Sequence, residues 1–133
     1  MHIHIHFLPV LVAALIQWFL GAFWYSPVLF AKPWAAMVNL DLENKPSMVG
    51  GMIASFACSL LVSFVLAHFV IWSHAPGFAA GAFIGFLGWL GFVAAPQYPQ
   101  GIYESRPAKL FAINTGYWLV GLLITGGMLA VWH

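Results

Sequence analysis

Apolar residues along this chain gather into four long unbroken stretches, at about 6–30, 48–73, 77–95 and 109–132. Each reaches the roughly 17–25 residues that a helix needs to cross about 30 Å of hydrocarbon. No Asp, Glu, Lys or Arg interrupts the interior of any of them. The pattern predicts an all-α membrane protein: four transmembrane helices forming a single domain over residues 1–133.

The polar intervals set the connections. Between the first two stretches, Lys32, Asp41, Glu43 and Lys45 mark water, and Pro33 stands where a helix can begin. Trp34, Met37, Val38 and Leu42 then follow at helical spacing, so this interval is either a short interfacial helix or an irregular loop. Only His74, Ala75 and Pro76 join the second and third stretches, which predicts a tight antiparallel hairpin. Pro96, Pro99 and Pro107 are expected to stop helices before the fourth stretch, with Glu104, Arg106 and Lys109 in water.

Composition reinforces this reading. The 133 residues are 63% hydrophobic and 5% charged, too few charges to cover a soluble domain of this size. The bilayer is the partner this composition demands. A net charge of +1 offers no basic patch, which sets nucleic acid aside. The single cysteine, Cys58, excludes an intrachain disulfide framework and reads as a small packing residue.

The four cations, Lys32, Lys45, Arg106 and Lys109, all fall at the first or third connection. The positive-inside rule makes that face cytoplasmic and places both termini and the 74–76 turn outside. The first stretch lacks a basic n-region and a small-residue cleavage site, so it is read as a span rather than a cleaved signal peptide.

Between lipid-facing helices, small residues are the association signal, because apolar burial supplies no drive. The second stretch carries Gly51, Ser55, Ser59, Ser63 and Ala67, one small residue every four positions. The third carries Gly77, Gly81 and Gly85. These two faces are expected to pack against each other, with Gly116 on the fourth stretch supplying a further close contact within the bundle or between protomers. The serines have a second reading, as the lining of a polar path.

Two stretches carry a family resemblance. Gly21-Ala22-Phe23-Trp24-Tyr25-Ser26-Pro27-Val28-Leu29-Phe30, followed by Lys32 and Trp34, is one. Lys109-Leu110-Phe111-Ala112-Ile113-Asn114-Thr115-Gly116-Tyr117, with Gly126 or Gly127 further on, is the other. They resemble the opening and closing signatures of the domain of unknown function 1761 family of small bacterial membrane proteins. The resemblance implies a four-helix protein of the bacterial inner membrane and carries no catalytic role. The start Met1-His2-Ile3-His4-Ile5-His6 departs from the plain apolar N-terminus of that family.

Candidate chemistry is sparse. Gln17, Asn114 and Tyr117 are polar residues inside spans, and each serves either as an interhelical bond or as part of a polar path. His2, His4, His6 and His74 fall on the outer side and are candidate metal ligands, since neutral imidazole suits zinc, copper or nickel. No cofactor is otherwise indicated. The serines lie in an apolar helix, no acidic residue accompanies a histidine on the same face and no Gly-rich phosphate loop is present, so an enzyme is the least supported class. The leading expectation is a non-enzymatic membrane component that self-associates or docks onto a larger membrane complex. The alternative is an oligomeric channel or carrier for a small solute or ion, and the third is an outward-facing metal-binding protein.

Overall fold

The computed structural model describes residues 6–26, 31–37 and 49–132. Helices α1 (Phe7–Trp24), α2 (Ala31–Met37), α3 (Val49–Trp72), α4 (Phe78–Trp89), α5 (Ala95–Tyr103) and α6 (Ala108–Val131) follow in order, with a π-helical turn, Leu90–Ala94, between α4 and α5. Four rods are long and apolar enough to span a membrane: α1, α3, the continuous helix Phe78–Tyr103, and α6. A helix satisfies its own backbone hydrogen bonds, and this is what hydrocarbon requires of a spanning segment.

The outer surface fits that solvent. Phe19, Ile53, Leu61, Phe83 and Phe92 are all more than half exposed, a display that lipid tolerates and water does not. The chain is a multi-pass membrane protein.

The third span differs from the sequence reading. Its helix does not end at residue 95 but continues through Pro96 and Pro99 to Tyr103. Proline lacks an N–H and its ring presses on the carbonyl of the preceding turn. The wider π turn immediately before Pro96 loosens that turn, so the helix carries on where a uniform α-helix would break. Between the first and second spans a short helix does form, over Ala31–Met37. Residues 38–48 of that interval lie outside the described residues.

Successive spans run antiparallel, and α6 is the hub. Half of its most apolar window is buried, against 17–28% for the other three spans. On one side α6 meets α4 backbone to backbone. A side chain added at Gly81 would strike the Gly126 carbonyl and the Ala130 methyl, one at Gly85 would strike the Leu122 carbonyl, and one at Gly126 would strike Gly81. Close approach of this kind maximises dispersion between helices that gain nothing from hydrophobic exclusion.

The expected pairing of the α3 serine face with the α4 glycine face is therefore corrected. Gly81 and Gly85 face α6, and α3 and α4 touch only sparsely. The three-residue connection fixes the helix ends near it, but along the rods the glycines of α6 permit a closer fit than the serines of α3. The turn itself contains His74 at φ 54°, a left-handed residue, with His74 N–H donating to Ile71 O at 3.1 Å. At this end Val10 and Ala13 of α1, Leu66, Ala67 and Val70 of α3, and Leu122, Leu129 and Ala130 of α6 form one apolar core.

Candidate functional site

Toward the other end of the bundle, polar groups replace that core. Asn114 and Tyr117 lie one turn apart on α6, so both face the C-terminal end of α1. The Tyr25 hydroxyl donates to Asn114 Oδ1 at 2.7 Å, and the Tyr117 hydroxyl donates to the Gln17 main-chain oxygen at 2.9 Å. The two phenol rings meet edge to face with centroids 5.9 Å apart. Tyr25 also packs edge to face on Trp34 of α2, at 5.5 Å.

Two indoles fasten the flanking helices to the same stretch of α6. Trp24 Nε1–H donates to Ile113 O at 2.9 Å, and Trp89 Nε1–H donates to Thr115 O at 2.7 Å. Tryptophan suits this position because its large apolar body stays in the bundle while its single N–H finds a carbonyl.

Small residues make room for these side chains. Gly21 lies against the Tyr117 ring, Gly116 against Trp24, and Gly121 directly beneath the Gln17 amide. Gln17 is 1% exposed, and neither Oε1 nor Nε2 has a hydrogen-bond partner among the described residues. The bond that Gln17 makes across the interface runs through its main-chain oxygen, which accepts from Tyr117.

Along this end α3 stands away from α5, and the gap is a cavity of ≈ 390 Å³. Ser55, Cys58 and Ser59 line one wall, Gln97 another, and Asn114 and Tyr117 the floor. A second cavity of ≈ 640 Å³ lies between α5 and α6 and shares Gln97 and Asn114 with the first. The two amides thus stand between the cavities. The smaller cavity is lined by hydroxyl, amide and thiol groups and by no Asp, Glu, Lys, Arg or His, so the lining suits hydroxyl, carbonyl or amide partners rather than ions.

The sequence-predicted residues divide accordingly. Ser59 and Ser63 are buried, whereas Gly51 and Ser55 are exposed and nothing lies over Gly51 or Gly77. Asn114 and Tyr117 come together with Tyr25, and Gln17 sits about two helix turns before Tyr25. His6 and His74 are exposed at the opposite end, and among the described residues no three of His, Cys, Asp and Glu gather as a metal site. His2 and His4 lie outside the described residues.

Sequence reasoning missed Gln97, because Pro96 placed it in a loop, and it met Tyr25 only within the first family-resemblance stretch. The available signal was spacing: if the helix is carried past Pro96, Gln97 falls two turns before Glu104 on the same rod. Among curated proteins and solved structures, nothing matches the chain. Residues 8–130 match the model of the family described as Protein of unknown function (DUF1761), and the chain belongs to that family.

Proposed function

We propose that this protein is a non-enzymatic component of the bacterial inner membrane that self-associates or docks onto another membrane protein through the open side of α3. One observation carries the reading. Gly50, Gly51, Ala54, Ser55 and Cys58 are all exposed, nothing covers the two glycines, and Ala54, Ser55 and Cys58 also line the ≈ 390 Å³ cavity with Gln97 and Asn114. Small residues beside amides are what a second transmembrane helix needs, since the first permit close approach and the second bond across it. The α4 glycines do not contribute, because α6 already occupies them.

The cations Lys32, Lys45, Arg106 and Lys109 favour a cytoplasmic location for the Gln97–Asn114 end, with both termini outside. The test is the mass of the protein in lipid nanodiscs at several protein-to-lipid ratios. Association that Gly51→Leu and Ser55→Leu abolish supports the proposal. A monomer at every ratio, with no membrane protein co-purifying, sinks it.

The cavity itself favours a second reading, a carrier for a small neutral solute. Its neutral lining supports that chemistry, and closure by the apolar core at the opposite end fits a site open from one side. Solute flux into proteoliposomes tests it, and a flux unchanged by Asn114→Leu removes this path.

A further inference from the structure

Where α5 gives way to α6, the chain passes through Ser105, whose φ of 56° is left-handed. Glu104 N–H donates to Gln100 O at 3.0 Å and Arg106 N–H to Gly101 O at 2.9 Å, closing the helix end. That reversal brings the side chains on either side of Ser105 together. Arg106 Nε donates to Glu104 Oε2 at 3.0 Å, with each side chain 46% exposed. The terminal guanidinium nitrogens make no other bond among the described residues.

Both charges line the ≈ 640 Å³ cavity, together with the Phe111 ring and the amides of Gln97 and Asn114. A cation and an anion held side by side, in a cavity whose other walls carry neutral amides and apolar and aromatic side chains, match a zwitterion attached to an apolar body. A guanidinium binds phosphate through paired N–H groups, and a carboxylate accepts hydrogen bonds from a primary ammonium. A net anion would meet the repulsion of Glu104, and a quaternary ammonium has no N–H to give.

We propose that the α5–α6 cavity binds a phosphoethanolamine group, with its phosphate on Arg106, its ammonium on Glu104, and the adjoining ester or hydroxyl oxygens at Gln97 and Asn114. The group can come from a membrane lipid or from a soluble phosphomonoester, and the test separates these sources. The proposal does not depend on self-association, since α3 lines no part of this cavity.

Native mass spectrometry of the full chain, released from micelles holding equal amounts of phosphatidylethanolamine, phosphatidylcholine and phosphatidylglycerol with identical acyl chains, reads the preference directly. The expected result is about fivefold greater retention of phosphatidylethanolamine, as two charge-assisted contacts would give. Glu104→Gln removes the preference for ethanolamine over choline. Arg106→Gln lowers retention of both. Lys109→Gln, at an exposed residue outside the cavity lining, leaves the preference in place. Displacement by millimolar phosphoethanolamine assigns the site to the soluble molecule, and displacement only by lipid assigns it to the lipid. Equal retention of the three lipids overturns the proposal, as does a preference that survives both Glu104→Gln and Arg106→Gln.

Discussion

The hydroxyl of Tyr25 and the side-chain oxygen of Asn114 meet at 2.7 Å across 89 residues of sequence, tying the end of the first span to the beginning of the last. Both residues belong to the stretches that carry the family resemblance, so the two signatures converge on one contact in space. The bond holds Asn114 at the boundary between the two cavities, both of which it lines.

Removing that bond should cost little but measurably. Tyr25→Phe is expected to lower stability by about 0.5–1.5 kcal/mol, the range for a single interhelical hydrogen bond in a membrane. Asn114→Leu combined with Tyr25→Phe should cost less than the sum of the two single changes. Reversible unfolding in mixed micelles, read as a double-mutant cycle, measures the coupling. Additive effects would show that the 2.7 Å contact contributes no energy.

Gln17 should behave in the opposite way. Its amide is buried with both polar atoms unpartnered, so Gln17→Met is expected to stabilise the bundle by about 1–2 kcal/mol, because it removes the desolvation penalty. Gly121→Ala should destabilise it, since the added methyl overlaps the Gln17 amide. Gln17→Ala should rescue Gly121→Ala, as the new methyl then enters vacated space. A Gln17→Met protein less stable than the parent would mean that the amide has a partner in the membrane.

Two glycine positions distinguish packing within the bundle from packing between proteins. Gly81→Ala is expected to cost about 1–3 kcal/mol, because its methyl would collide with rigid backbone at Gly126 rather than with a flexible side chain. Gly88→Ala meets nothing and should be neutral or slightly stabilising. Thermal unfolding in the same detergent ranks them, and equal effects would contradict the α4–α6 seam.

His74 occupies a left-handed backbone position at the hairpin turn. His74→Gly should gain up to about 1 kcal/mol by relieving the steric penalty of a Cβ there, whereas His74→Val should lose more than that amount. Both are read from the unfolding midpoint. A stabilised glycine variant would also show that the His74 ring is not needed for folding.

Hydropathy alone specified four spans, their antiparallel order and the tight turn between the second and third, because hydrocarbon permits a lone segment only one way to satisfy its backbone. That is a local requirement, and it is written locally. Two boundaries differ from the hydropathy pattern: the first helix ends at Trp24, short of residue 30, and the third runs past Pro96, where the outcome turned on whether a π turn could absorb the ring. Such a turn depends on how α4 seats on α6, which no window of sequence contains.

The candidate site was legible in part. Asn114 and Tyr117 stood out as polar residues in an apolar run, and a polar group in a span is conspicuous wherever it faces. Their partners were not legible. Tyr25 bonds Asn114 and Gly81 meets Gly126 because three rods converge on α6, and the choice among helix faces is made by backbone fit over many residues at once. A stripe of small residues indicates that a helix can be approached closely. Only the tertiary packing decides by which neighbour, since every apolar helix in lipid is equally free of hydrophobic drive and the closest fit prevails.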